Sequence, residues 1–139
     1  MIENLPIITC FMLSYNKFEY IYEAIDSILM QTYPKIELAI FDDCSENFPK
    51  DELEQYIERN KGENIINVII YQSPINEGTV KNFNNMIKNT TGKYLLGAGC
   101  DDTLYDSYVV ENVVNYFEKT GAGIVTCYKE DEVKQRIEY

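Results

Sequence analysis

Histidine is absent from the sequence, and the cysteines stand far apart, at Cys10, Cys44, Cys100 and Cys127. No two of them have the CxxC spacing of a zinc or redox motif, so we do not expect a zinc site with Cys and His ligands. Reduced thiols of the kind found in cytosolic proteins are the expectation instead. The missing histidine also removes the commonest general base, so acid–base chemistry in this chain must use carboxylates, tyrosine or lysine.

Basic residues are scarce, since 12 Lys and Arg stand against 23 Asp and Glu and the net charge is −11. A surface this acidic repels nucleic-acid phosphates, which argues against a nucleic-acid partner. It leaves room for a small nucleotide that arrives with a divalent metal, because the metal cancels the local negative charge.

Long apolar runs are absent as well. The apolar stretch near the start, residues 5–13, is broken by Pro6 and Thr9, and no basic leader precedes it. We therefore expect no membrane span and a cytoplasmic location, either free or at the inner face of the membrane.

Short apolar runs alternate with amphipathic segments along the chain. The runs predict strands at residues 7–13, 36–41, 67–71, 94–96 and 124–127. Apolar residues three and four positions apart predict helices at about residues 18–29, 50–60 and 79–89, and a last one that ends at Gly121. Expected N-caps are Thr79 for the third helix and Asp106 or Ser107 for the fourth. This order predicts one Rossmann-like α/β domain of three layers, with a mainly parallel sheet between helices.

Two pairs of adjacent carboxylates follow predicted strands, Asp42-Asp43 and Asp101-Asp102. Open α/β sheets bind ligands at the carboxyl ends of their strands. A turn would explain the first pair and a helix cap the second. The functional interpretation of the first pair is that it accepts hydrogen bonds from a base or a ribose. A cap needs only one carboxylate oxygen, whereas adjacent carboxylates repel each other. The second pair therefore favours Mg²⁺ or Mn²⁺ shared with a diphosphate.

Two other side chains are candidates for nucleotide contacts. Tyr15 follows the first strand and could stack on a base, although the chain has 12 tyrosines and most serve packing. Lys81, near the start of the third helix, could reach a phosphate or simply be solvated.

Taken in order, the motifs resemble those of family 2 glycosyltransferases with the GT-A fold. The resemblance runs from about Pro6 to Cys127. The matching segments are Ser14-Tyr15-Asn16, Gln31-Thr32, Asp42-Asp43 with Ser45, Asn76 with Gly78 and Asn84, and residues 92–102, GKYLLGAGCDD.

This resemblance implies an inverting hexosyltransferase that binds a UDP-sugar or another nucleoside-diphospho-sugar with Mg²⁺ or Mn²⁺. Its acceptor would be a sugar or glycan, as in bacterial polysaccharide biosynthesis. It implies that Tyr15 stacks on the uracil and that Asp42 or Asp43 hydrogen-bonds the base. Asp101 and Asp102 would divide ribose contact and metal coordination, with Asp102 as the main metal ligand. The other residues expected to contact the nucleotide are Ser14, Asn16, Asn76, Gly78 and Lys81.

The sequence departs from the family pattern at two positions and ends early in it. Gly99 stands where many members have another Asp, and Phe83 stands where many have Arg. The acceptor half, with the carboxylate that deprotonates the acceptor, normally follows the fifth strand. We therefore expect a nucleotide-binding domain at residues 1–128, with residues 129–139 as a frayed or helical tail or as the start of the acceptor half. A nucleotide-sugar-binding module without turnover is the alternative function, and a generic nucleotide-binding domain is a third.

Overall fold

The structure is a computed structural model that describes residues 4–127, 129–131 and 136–138. Helices and strands alternate up to the fourth helix, as predicted, and two short strands follow. In chain order the elements are β1 (Ile8–Ser14), α1 (Ile21–Leu29), β2 (Ile36–Asp42), α2 (Lys50–Asn60), β3 (Ile65–Gln72), α3 (Thr79–Asn89), β4 (Tyr94–Gly97), α4 (Val109–Thr120), β5 (Lys129–Asp131) and β6 (Arg136–Glu138).

The first four strands form one parallel sheet in the order β3-β2-β1-β4. β2 is buried at every residue, which suits an apolar strand covered on both faces. Its pairing with β1 runs in register from Ile8–Ile36 to Ser14–Asp42. All four strands therefore end at the same edge of the sheet.

Helices cover both faces of this sheet, which confirms the predicted three layers. Alternate residues of β1 belong to different apolar clusters, because successive side chains of a strand point to opposite faces. Ile8, Cys10 and Met12 pack with α1, α2 and α4. Phe11 and Leu13 pack on the other face, against a smaller cluster that includes Met86 of α3.

The predicted N-caps of α3 and α4 are wrong. Thr79 is the first residue of α3, and Gly78 holds the cap position with a φ of 91°, which glycine adopts without steric cost. α4 is preceded by Tyr108, which makes no side-chain cap. The Asp106 carboxylate accepts a hydrogen bond from Tyr108 N rather than from the helix. At the start of α4, Val110 N donates instead to Oε1 of Gln31, which is far away in the sequence. Local sequence cannot show such a contact.

The predicted fifth strand at residues 124–127 is also wrong. These residues form no strand, and the Ile124 side chain is 85% exposed. The strands that follow are β5 and β6, which pair antiparallel with each other in a separate sheet. The helical alternative for the tail is therefore wrong for these two segments. An apolar run indicates extended backbone, but it does not show that a neighbouring strand is available for pairing.

A buried carboxylate joins the sheet near the start of its strands. Glu37 of β2 accepts hydrogen bonds from Thr9 Oγ1 at 2.8 Å and from Asn67 Nδ2 at 2.9 Å. It also accepts from the backbone N and the Oγ1 of Thr91, at 2.8 and 3.1 Å. Thr9 and Asn67 are the residues paired with Glu37 on β1 and β3, so this row of side chains specifies the register.

Burial alone would raise the pKa of Glu37, but the hydrogen bonds outweigh it and hold that pKa below its ordinary value of 4.5. We expect Glu37→Gln to lower the free energy of unfolding by about 2 kcal/mol at neutral pH, because an amide cannot accept all four hydrogen bonds. A carboxyl whose pKa is depressed by folding stabilises the protein above its unfolded pKa. The difference between the two proteins should therefore shrink as the pH falls below 4.5.

Urea unfolding of both proteins between neutral pH and pH 3 would measure this difference. Glu58→Gln is the matched control, since the Glu58 side chain is exposed and forms an ion pair with Lys61 on the surface of α2. A Glu37→Gln protein as stable as the control at neutral pH would contradict the role of Glu37.

Candidate functional site

The polar residues singled out in the sequence meet at the carboxyl edge of the parallel sheet. β1 is central, so the loop after it lies between the loops that follow β2 and β4. Asp43 N donates to Ser14 O at 3.0 Å, and Ala98 N donates to Phe11 O at 2.9 Å. These backbone hydrogen bonds extend the pairing beyond the ends of β2 and β4 and bring the two acidic pairs to either side of the end of β1.

Asp42 is fully buried, with 0% of its surface exposed. Its Oδ1 accepts hydrogen bonds from Ser14 Oγ and Ser45 Oγ, both at 2.6 Å. Its Oδ2 accepts from Ser45 N at 2.7 Å and from Gln72 Nε2 at 3.1 Å. Asp42 therefore joins the ends of β1, β2 and β3, and it offers no surface to a ligand in this structure.

Asp43 has a different set of partners. Its Oδ1 accepts from Glu77 N at 2.8 Å, and its Oδ2 accepts from Gly78 N at 2.9 Å. The carboxylate thus holds the turn that leads into α3. It is 5% exposed, and each ionised oxygen can accept a second hydrogen bond. Of the first acidic pair, Asp43 is the residue that can also serve a ligand.

The loop after β1 presents Tyr15 and is fixed by Asn16. Asn16 N donates to Ser45 Oγ at 2.8 Å, and its Oδ1 accepts from Glu46 N at 3.0 Å. Asn16 has a φ of 55°, in the left-handed region that asparagine tolerates. Tyr15 beside it is 50% exposed, so its ring is accessible at the edge of the site.

The second acidic pair is exposed and lies in a tight turn. Asp102 N donates to Gly99 O at 3.1 Å. A Cβ atom on Gly99 would lie 2.6 Å from Asp102 Oδ2 and 3.1 Å from Asp101 Oδ1. The two carboxylates therefore converge on the space beside Gly99, and glycine leaves that space open.

The pKa of the Cys100 thiol depends on the charged groups around this turn. Burial raises the pKa of its thiol to about 11, and carboxylates from both acidic pairs add to the rise. Lys17, in the loop after β1, acts in the opposite direction. The thiol stays protonated at neutral pH, and the charges of Asp42, Asp101, Asp102 and Lys17 all act on it.

Two carboxylates can hold a metal ion only with help from other ligands. In residues 4–127, 129–131 and 136–138, no group of three or more His, Cys, Asp and Glu side chains is placed to hold one. Mg²⁺ is often bound by one or two carboxylates together with substrate phosphates. Asp101 and Asp102 fit that mode, because their oxygens converge beside an open glycine.

The remaining predicted residues lie at the same edge without closing the site. Asn76 and Lys81 are exposed before and within the first turn of α3. Phe83, which stands where many family members have Arg, packs against Phe11 with ring centroids 5.6 Å apart and so contributes to packing. Gln72 and Lys17 also lie at this edge, and no motif in the sequence marks either residue. The sequence offers one indication for Gln72, which is a polar residue at the end of a strand and therefore at the edge where ligands bind.

The model of the family described as glycosyl transferase family 2 matches residues 9–135. The chain belongs to this family. The resemblance seen in the motifs is thereby confirmed.

Curated relatives include an uncharacterized glycosyltransferase of Haemophilus influenzae, 30% identical over 84% of this chain and 34% of the relative. Another is the putative colanic acid biosynthesis glycosyl transferase WcaA of Escherichia coli, 31% identical over 72% of this chain and 34% of the relative. The chain thus spans about a third of the length of these proteins.

Solved structures with the same fold include a mannosyltransferase from Pyrobaculum calidifontis in complex with GDP-Man and Mn²⁺. The TM-score is 0.80 at 21% identity, over 93% of this chain and 37% of that one. S. aureus TarS in complex with UDP-GlcNAc has a TM-score of 0.69 at 22% identity, over 86% of this chain and 37% of that one. These likenesses confirm the GT-A fold. Across the part of the chain that is described, no helix is both long and apolar enough to cross a bilayer.

The buried position of Asp42 gives a test of the site. We expect Asp42→Asn to lower the free energy of unfolding by about 2–3 kcal/mol. The amide nitrogen of Asn is itself a donor, so the serine or glutamine donors that now bind one carboxylate oxygen would lose their acceptor. Asp101→Asn makes the same chemical change at an exposed position and should leave stability within about 0.5 kcal/mol of the native value. Urea unfolding at neutral pH measures both. Equal stability of the two variants would refute the role given to Asp42.

Proposed function

We propose that this chain forms the nucleotide-sugar site of an inverting hexosyltransferase, with a UDP-sugar as donor, Mg²⁺ or Mn²⁺ as cofactor, and a sugar or glycan hydroxyl as acceptor. One observation carries the proposal. Asp43 and the Asp101-Asp102 pair lie at the carboxyl edge of the sheet on either side of the end of β1, where Tyr15 is exposed. A nucleotide-sugar needs an aromatic ring and a hydrogen-bond acceptor for its base, which Tyr15 and Asp43 would supply. It also needs carboxylates for its ribose and its metal-bound diphosphate, which Asp101 and Asp102 would supply.

Tyr15 and Asp43 are the proposed contacts for the base. An exposed aromatic ring can stack on any base, and such stacking is worth about 1–3 kcal/mol. An ionised carboxylate can only accept hydrogen bonds, so Asp43 favours a base with a ring N–H, such as uracil or guanine. Cytosine and adenine present a bare ring nitrogen at that position. The solved structures that share this fold include complexes with GDP-Man and with UDP, which agrees with this choice.

Asp101 and Asp102 are the proposed contacts for the ribose and the metal. Asp102 would hold the ion and Asp101 a ribose hydroxyl. The chemistry supplied by a divalent ion at this place is stabilisation of the charge on the departing diphosphate. The carboxylate that deprotonates the acceptor is proposed to lie outside these residues, since they cover about a third of the length of the matched relatives.

The metal site can be tested by calorimetric titration of UDP with and without Mn²⁺. We expect Mn²⁺ to raise the affinity of the native chain for UDP by about ten-fold or more, and Asp102→Asn to remove this gain, because removing a ligand typically costs at least that much metal affinity. Asp51→Asn removes the same charge from the first turn of α2 and should leave the gain intact. If UDP affinity ignored both Mn²⁺ and Asp102→Asn, the proposed site would be wrong.

The base contact can be tested with CDP, which differs from UDP only in the base. We expect CDP to bind at least about ten-fold more weakly, since its bare ring nitrogen would face the Asp43 carboxylate. Asp43→Asn should reduce this ratio, because an amide can donate as well as accept. Asp101→Asn is the control and should weaken both ligands without changing their ratio. Equal affinity for UDP and CDP in the native chain would overturn the assignment of Asp43.

A further inference from the structure

The Asp101-Asp102 turn is held at one end by β1. Ala98 N donates to Phe11 O at 2.9 Å, and Cys100 Sγ contacts Leu13 O at 3.6 Å. Gly97 and Gly99 lie within this anchor, and glycine leaves the backbone conformationally free. This anchor therefore holds the start of the turn.

The other end of the turn is held by α1, from a distant part of the sequence. Gln31, just beyond α1, donates from Nε2 to Asp106 O at 2.5 Å, and its Oε1 accepts from Val110 N at 3.0 Å. Nearby, Leu104 N donates to Ser27 Oγ at 3.1 Å. The segment after the acidic pair is therefore fastened to α1 at Leu104, Asp106 and Val110.

The Gln31 side chain is fully committed to this task. It is 3% exposed, and its second Nε2 hydrogen donates to Ser27 O at 2.9 Å. Val110 lies in the first turn of α4, where backbone N–H groups have no partner within the helix. Because the residue at the N-cap of α4 makes no side-chain cap, Gln31 Oε1 takes that role across the fold.

We propose that Gln31 is a positioning residue that keeps the Asp101-Asp102 turn in the conformation needed for metal-dependent nucleotide binding. This inference rests on the proposed function of the turn. Gln31 acts only through the loop, and the groups proposed for the base, Tyr15 and Asp43, belong to other loops. Its loss should therefore weaken the metal-dependent part of binding and spare recognition of the base.

Gln31→Met is the decisive variant, because it keeps the length of the side chain and removes all its hydrogen bonds. We expect about ten-fold weaker binding of UDP in Mn²⁺, unchanged affinity for uridine without metal, and faster hydrogen exchange at the amides of Asp102 and Leu104. Thr32→Val is the matched control. It removes the exposed hydrogen bond from Thr32 Oγ1 to Glu111, at 2.8 Å, and should change none of these quantities.

Unchanged exchange at Asp102 and Leu104 would overturn the inference, and so would equal losses of UDP and uridine affinity. Should Gln31→Met fail to fold, Ser27→Ala is the second variant, because it removes the hydroxyl that holds Leu104 N and otherwise loses one hydrogen bond within α1, from Ser27 Oγ to Ala24 O at 2.7 Å. Without faster exchange at Asp102 in that variant, the inference fails. If the native chain bound UDP with no dependence on Mn²⁺, the proposed function would fail at its metal step, while hydrogen exchange would still decide whether Gln31 holds the turn.

Discussion

The candidate site depends on one buried charge, the carboxylate of Asp42. An ionised group taken out of water is costly unless hydrogen bonds replace its hydration, and Asp42 has donors from Ser14, Ser45 and Gln72. Meeting that requirement draws the ends of three strands together. Ser45, oriented in this way, also accepts from Asn16 N and so fixes the loop that carries Tyr15. The accessible groups are thus placed by a residue that is itself inaccessible.

The same arrangement occurs at the opposite end of β2. Glu37 and Asp42 are each flanked in the sheet by polar partners, Thr9 with Asn67 for Glu37 and Ser14 with Gln72 for Asp42. Each carboxylate accepts hydrogen bonds from both of its flanking residues. Two polar rows therefore bracket the apolar rows of the sheet. A slip of one residue between the strands would remove the hydrogen bonds that Glu37 and Asp42 accept from these flanking residues, so the two polar rows help to select the register.

The two acidic pairs differ in what surrounds them. The first pair is buried and its oxygens bind the protein, whereas the second is exposed and converges beside Gly99. This difference agrees with the proposed ligand, whose base would contact Asp43 of the first pair and whose metal-bound diphosphate would contact the second pair. The segment after the second pair is fastened by Ser27 of α1 and by Gln31 just beyond that helix, and Gln31 links Asp106 to the start of α4.

The sequence by itself determined the four parallel strands, the helices between them and the edge at which the polar residues meet. Apolar periodicity and strand-end carboxylates are local signals, and β-α alternation leaves few ways to arrange them. Only the tertiary structure decided that Asp42 is fully buried and joins three strand ends, while Asp43 is 5% exposed and holds the turn before α3, because adjacent residues at the end of a strand point in different directions. It also decided that residues 124–127 form no strand and that Gln31 caps α4. Those outcomes depend on which distant groups come within hydrogen-bonding distance, and periodicity carries no information about that.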